Sequence, residues 1–414
     1  MAVYTRYVDC DAVAGGDGQS LGVVDGTHID NDGSGHRPYS GLNAWVAAEQ
    51  DTSGATDDDI VYCGSQTSAH TADTPKILVD GWVTEKTSGS IQIIGDMTSG
   101  VWDATKYRIQ GGCDSHRLML YESYIVISRI QVCATDHNWD SNGGIGCSDV
   151  ETTHDVQITR CIIKSTCTAG QGAGTGNAIH LRLITSGIVV VQNNVTYGTF
   201  LRGMSCYAAT GTATWHIDNN LAYGVSGAGQ MHINEAPGAT MYSFNNISYA
   251  TGGNSYAYTG LHASSANDLS DDAFSPDTSH RNKTLTFANV STGTEDFHLV
   301  AADTDAIGLG SDRSSRFTID ITGATRTTWD IGAFLYVEEE TGQFARPVSD
   351  VAAGGWTAST GSDLYAMVDE SAASDADYIT SGAAPAADTA VMTLGTLSTP
   401  VAGTVTLRIR AKYN

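Results

Sequence analysis

Short apolar runs dominate this chain, and between residues 188 and 250 one phrase returns three times: IVVVQNNVTYG at 188–198, TWHIDNNLAYG at 214–224 and TMYSFNNISYA at 240–250. Measured on the Asn pairs, the step is 26 residues twice. Each column keeps its chemistry: Val195, Leu221 and Ile247 in one, Tyr197, Tyr223 and Tyr249 in another, Asn193, Asn219 and Asn245 in a third. Val, Ile, Tyr and Thr in short runs closed by Asn-Asn or Gly predict strands ended by sharp bends rather than helices. Asn suits the bend because it tolerates the left-handed backbone region, and its amide can bond along a stack of coils. A period in this range marks a solenoid, in which each unit buries its apolar face against its neighbours. The Asn193 column is expected at a turn and the Val195 column inside.

The phrase extends upstream through VQITRCIIKS at 156–165, a step of 32, and IVISRIQVCA at 125–134, a step of 31. These steps carry Val132 and Ile163 into the Val195 column, and Cys161 into an Asn position that suits inner packing. Earlier runs, DIVYCGS, KILVDGWVT, IQIIGD, YRIQGG and LMLYESYIVISRIQV, read as the first coils. The pattern over roughly residues 60–335 resembles the right-handed parallel β-helix family, the fold of pectate lyase-like proteins and of many phage tailspikes. That resemblance implies an all-β chain, a right-handed parallel β-helix solenoid, and says little about function.

The ends fit the same picture. Residues 1–55 read as a strand, a Gly/Asp-rich loop and a capping helix with Leu42, Trp45, Val46 and Ala47 at helical spacing; a solenoid end needs such a cover. The opening resembles the start of many phage and marine bacterial β-helix proteins. Residues 56–340 form the solenoid. Its last part, EDFHLVAADTDAIGLGSD and IDITGATRTTWDIGAFLY, resembles the closing coil of that family. This assigns Asp320, Gly323, Arg326, Asp330 and Gly332 structural roles, with Arg326 forking onto a carboxylate. LTFANV, EDFHLV and DIGAFLYVEEE are expected as final strands. Residues 341–414 resemble the start of a β-sandwich module at the C-termini of virion proteins, marked by Trp356, an LYAMVDE strand and DADYI. The module is short and is expected to be incomplete or completed by a partner.

The net charge of −25, from 21 basic and 46 acidic residues, argues against nucleic acid and anionic membranes as partners. The opening MAVYTRYVDC lacks the features of a secretory signal, and no long apolar run occurs, so cytoplasmic synthesis is expected. The eight cysteines then behave as buried thiols rather than a disulfide framework.

Candidate chemistry is sparse. Arg129 and Arg160, one coil apart, with Lys164 nearby, and His180 with Arg182 alternating along AIHLRL are of the residue types that uronate lyases of this fold use, but the motifs of those lyases are not visible, and soluble strand faces are the plainer explanation. In the loop ATDHNWDSNGGIG, Trp139 could stack a sugar ring while Asp136 and Asp140, near His137, bond its hydroxyls. The glycines of 168–178 match no phosphate-binding pattern. No metal site is expected. Ca²⁺ at Asp57–Asp59 or at Asp271 and Asp272 is the one cofactor left open, without a recognisable 12-residue loop. The combined expectation is a phage virion structural protein, a fibre, tailspike or capsid decoration that binds host surface glycan. It would work as a homotrimer or attached to other virion proteins, with residues 341–414, which end in the strand-forming segment GTVTLRIRAKYN, at the contact. The alternative is a polysaccharide lyase or glycoside hydrolase on the same scaffold.

Overall fold

The computed structural model describes residues 2–12, 16–19, 37–50, 53–64, 71–82, 86–113, 116–137, 143–147, 155–167, 175–182, 184–208, 211–224, 228–234, 237–250, 254–337, 347–368, 378–381 and 389–394. They fall into two units, Met1–Val337 and Glu338–Asn414.

The first unit is a parallel β-helix. Each full coil visits three sheets in turn, as Ile188–Gln192, Val195–Gly198 and Phe200–Tyr207 do, and each strand pairs with its equivalent in the next coil. The first sheet runs from Val3–Val8 through Asp58–Cys63 to Thr240–Phe244, the second from Arg108–Cys113 to Leu269–Ser270, the third from Ile77–Val79 to Asn254–Thr259. All pairings within them are parallel, the arrangement for which right-handed crossovers are the rule. Helix Leu42–Glu49 covers the start with Leu42, Trp45 and Val46 buried, and Trp45 packs 5.6 Å from Trp82. Ala47 is exposed; the fourth buried position is Glu49, whose carboxylate accepts from Arg6 Nε at 2.6 Å and the Tyr39 hydroxyl at 2.8 Å.

The expected repeat holds over 188–250: Val195 pairs with Leu221 and Leu221 with Ile247. One coil upstream the register differs by one residue. Ile162, not Ile163, pairs with Val195, so the step is 33 and Ile163 pairs with Thr196. A one-residue slip exchanges the faces of a strand. Val132, Ile163 and Ala222 therefore point into the lumen core, together with Val189, Trp215 and Met241 of the first sheet. Ile162, Val195, Leu221 and Ile247 point outward instead. They are buried in a second core, under Leu285, Phe297, Leu299, Ile321, Ile331 and Phe334 of the chain that follows the last coil. The expectation that the Val195 column lines the inside is thus corrected: it is buried, but against a strap formed by residues 271–337.

From Ile125–Ser128 onward, each coil turns through two residues between the first and second sheets. The first is left-handed: Arg129, Arg160, Asn193, Asn219, Asn245 and Asn267 have φ of 51–59°. This conformation costs an ordinary residue about 1–2 kcal/mol and Asn less. The second residue points inward, giving the column Cys161, Asn194, Asn220, Asn246 and Asp268. Asn220 shows how each amide is used. Its Oδ1 accepts from Asn194 N and Nδ2, both at 3.0 Å, while its Nδ2 donates to Val191 O at 2.8 Å and Asn246 Oδ1 at 2.9 Å. Asn194 and Asn246 repeat the pattern, and Asp268 Oδ1 accepts the last pair at 2.9 and 2.8 Å. The continuous axial ladder lies in this second Asn of each pair; in the first column Asn245 Nδ2 donates to Asn219 Oδ1 at 3.0 Å.

The first Asn of each pair holds the strap. Asn193 Nδ2 donates to Ile319 O, Asn219 Nδ2 to Asp330 O and Gly332 O, and Asn245 Nδ2 to Ser311 O, each at 2.9 Å. Arg326 closes on Gly332 O, Ala333 O and Asn193 Oδ1 at 3.0–3.1 Å rather than on a carboxylate. Its neighbours Asp320 and Asp330 instead accept backbone amides, among them Gly323 N and Leu335 N for Asp320 and Gly308 N and Tyr336 N for Asp330. Of the expected final strands, Phe287–Asn289 and Asp296–Leu299 form an antiparallel hairpin; residues 330–337 form no strand, with the Leu335 and Tyr336 amides taken by these carboxylates and those of Ile331 and Gly332 by Ala306 O and Asn245 O.

In the second unit Pro347–Ala352 pairs antiparallel with Val391–Leu394, and Thr357–Ala358 with Ile379–Thr380. Tyr365–Met367 is a 3₁₀ turn rather than the expected LYAMVDE strand, since Asp350 accepts from the amides of Leu364 and Tyr365 at 2.6 and 2.8 Å. The segment GTVTLRIRAKYN lies outside the described residues.

Two expectations test the ladder. Asn220→Ala strips partners from the Asn194 amide, Asn246 Oδ1 and Val191 O, and should cost about 3 kcal/mol in urea unfolding. Asp268 is buried, and that burial lifts its carboxyl from 3.8 to about 7 against the amide bonds that favour the anion. A raised folded pKa means that its contribution is fully present below about pH 3.8 and is lost as pH rises through 7. Asp268→Asn, which extends the Asn column, should remove that loss; it should leave the variant a few kcal/mol more stable than the parent at pH 8, with little difference at pH 4, in denaturation at the two pH values.

Candidate functional site

Lumen and outward positions alternate along each first-sheet strand, and the registers align the outward ones into columns. The middle column is Gln92, Val126, Gln157, Val190, His216 and Tyr242. On one side run Ser90, Tyr124, Asp155 and Ile188, and on the other Ser128, Thr159, Gln192, Asp218 and Phe244. A groove of about 560 Å³ follows these columns, lined by Ser90, Gln92, Tyr124, Val126, Asp155, Gln157, Ile188, Val190 and Gln192, with Arg316 of the strap at its edge. Coils lie about 4.8 Å apart, so Gln92 and Gln157 present amides about 10 Å apart along the axis with Val126 between them. The floor thus alternates hydrogen-bonding and apolar patches in the direction of the solenoid.

Beyond Val190 the column becomes aromatic. His216 and Tyr242 stack at 5.1 Å with planes 6° apart, and Tyr242 meets His262 at 4.4 Å. Beside them Asp218 Oδ2 is shared by Arg313 Nη2 at 3.4 Å and Arg316 Nε at 3.5 Å, and the Arg313 guanidinium lies 3.8 Å from the Phe244 ring centroid. Burial raises the Asp218 carboxyl to about 6 and outweighs both cations. Burial together with Arg316 and Arg313 lowers His216 to about 4, so its ring is neutral at pH 7. Two cations on one buried carboxylate give this end of the groove a local positive excess in a chain of net charge −25.

The residues singled out from sequence do not converge. Arg129 and Arg160 stack as expected, but at the left-handed corner, and Arg160 Nε donates to Ile321 O at 3.0 Å, so it ties down the strap. Lys164 projects from the second sheet, 4.0 Å from the Trp102 ring. His180 and Arg182 lie on the third sheet. There His180 Nδ1 is 3.3 Å from His116 Nε2, and Arg182 sits 5.6 Å over Tyr207. Asp136 belongs to strand Gln131–His137; Trp139 and Asp140 lie outside the described residues.

The Asp57–Asp59 run splits among separate partners: Asp57 accepts from Ala2 N, Asp58 from Ser90 N, and Asp59 pairs with buried Lys86 at 2.8 Å. Asp271 accepts from Ala250 N and Asp272 from Phe274 N. Among the described residues no group of three or more His, Cys, Asp or Glu is placed to hold a metal ion. No described helix is long and apolar enough to cross a membrane. Asp218, Arg313, Arg316 and the groove columns were missed from sequence. The available signal was a carboxylate, Asp218, at the end of an otherwise apolar strand phrase, where Gln192 and Phe244 stand in the neighbouring coils.

No family model and no curated protein matches the chain. Among solved structures, the crystal structure of pectate lyase Pel9A is similar over 81% of this chain and 97% of that one, at 12% identity and a TM-score of 0.29. At that score the likeness carries no argument, and the fold rests on the strand registers above.

Proposed function

We propose that this β-helix binds an extended glycan along the outer face of its first sheet. The observation that carries the reading is the groove floor, where Gln92, Val126, Gln157 and Val190 alternate amide and apolar side chains across four successive coils, with Ile188 and Gln192 flanking Val190 on the last of these strands. A sugar chain offers the same alternation of hydroxyl edges and apolar ring faces, and stacked coils hold the donors rigidly at little entropic cost. The setting we favour is a virion fibre, tailspike or decoration protein acting on host surface polysaccharide, which the sequence likeness at both ends supports.

A depolymerase is the second reading, favoured by Asp218. Its carboxyl, raised to about 6, stands beside Arg316 and neutral His216 at the end of the groove, which is the kind of perturbed group that acid–base chemistry employs. Equilibrium binding of defined oligosaccharides tests the first reading. Affinity should rise with chain length, and Gln157→Ala or Gln192→Ala should each weaken it about tenfold, the value of one hydrogen bond. Length-independent affinity untouched by either substitution would remove the groove from consideration. New reducing ends or unsaturated uronate absorbance, lost in Asp218→Asn, would select the depolymerase.

A further inference from the structure

A second cleft lies on another face of the first unit and shares no residue with the groove. It has a volume of about 420 Å³ and is bounded on one side by Val101 and Trp102, on the other by the hairpin turn with Asn289, Thr294, Glu295 and Asp296. The two walls come from distant parts of the chain. Val101 and Trp102 belong to the connection between Ile91–Ile94 and Arg108–Cys113, and the turn joins Phe287–Asn289 to Asp296–Leu299. The hairpin is anchored by Phe287 and Phe297, which pack on Tyr223 at 6.0 and 5.1 Å. Its shape is also held within the turn: Gly293, at φ 90°, donates its amide to Glu295 Oε1 at 2.9 Å, and Asn289 Nδ2 donates to Thr294 Oγ1 at 3.1 Å.

The chemistry of the walls is unequal. Trp102 is half-buried, and Lys164 Nζ lies 4.0 Å from its ring centroid, a cation–π contact that holds the indole in place. Facing it are two partly exposed carboxylates: Glu295 and Asp296, the latter bonded to His298 Nδ1 at 2.5 Å. Beside Glu295 the Tyr197 hydroxyl is buried without a hydrogen-bond partner among the described residues. An aromatic plate opposite carboxylate acceptors matches a pyranose ring, whose C–H face packs on the indole while its hydroxyls donate to the acids. The same carboxylates repel an anionic sugar.

From this geometry we propose that the cleft between Trp102 and the 289–296 turn is a separate binding site for one neutral pyranose unit. It is independent of the groove, and either site can exist without the other.

The test titrates the full chain with methyl glucoside, methyl galactoside, methyl mannoside, N-acetylglucosamine and glucuronate, followed by calorimetry and saturation-transfer NMR. At least one neutral sugar should saturate a single site, with glucuronate at least tenfold weaker. Trp102→Ala should abolish that binding, Trp102→Phe should retain it in part, and Glu295→Gln should weaken it about tenfold. Gln157→Ala, which alters only the groove, should leave it unchanged. Equal binding of glucuronate, undiminished binding by a folded Trp102→Ala chain, or no binding of any neutral sugar by the parent overturns the proposal. Because Trp102 touches the outer core, Glu295→Gln, on the exposed turn, serves as the variant that does not threaten folding; full affinity in that variant would also overturn it.

Discussion

Everything in the first unit depends on how buried amides are satisfied at one corner of the coil. A primary amide without partners costs about 1–3 kcal/mol for each group left unpaired, and Asn194, Asn220 and Asn246 are fully buried. Asn194, Asn220 and Asn246 meet this demand only if neighbouring coils sit in register, because each Oδ1 accepts from the coil before and each Nδ2 donates both to a backbone carbonyl of the coil before and to the side chain of the next. The ladder therefore acts as a register lock. Hydrophobic columns alone would tolerate a slip; amides that need a specific neighbour do not.

The adjacent column converts the same corner into an anchor. Left-handed Asn193, Asn219 and Asn245 turn their side chains out of the helix, where their amides capture carbonyls of the strap, and Arg326 and Arg160 reinforce the seam. The strap can then cover the outward apolar column of the second sheet and produce a second core. Its path places Arg313 and Arg316 against Asp218 at the edge of the first sheet. The electrostatics of the groove are thus a consequence of the seam rather than of the repeat itself.

Repetition also explains why both candidate sites are faces rather than pockets within a core. Every coil adds one outward residue per column, so a polar or aromatic choice at one strand position is multiplied along the axis. The groove uses this multiplication, while the Trp102 cleft depends on the hairpin that interrupts it. The sequence-selected cations fell on three different faces because spacing along the chain does not specify which sheet a residue joins when loop lengths vary.

What the sequence determined by itself was local: strands rather than helices, the 26-residue register of three coils, Asn at the bends, and a capped solenoid. Those features follow from backbone preference and a constant period, both of which act over a few residues. The sidedness of the strands was not legible. In VTYG, Val195 and Tyr197 face a core under the strap while Thr196 faces the lumen core, so both faces are buried and alternation loses its sign. The upstream step of 33 rather than 32 was hidden for the same reason, since Ile162 and Ile163 fit either face. Only the tertiary structure, by wrapping residues 271–337 over one sheet and leaving another open, decided which apolar column became a second core and which polar columns became a surface. It also brought Ser90 and Arg316 to one groove, because that proximity arises from coils stacking and a strap crossing them, which no local interaction encodes.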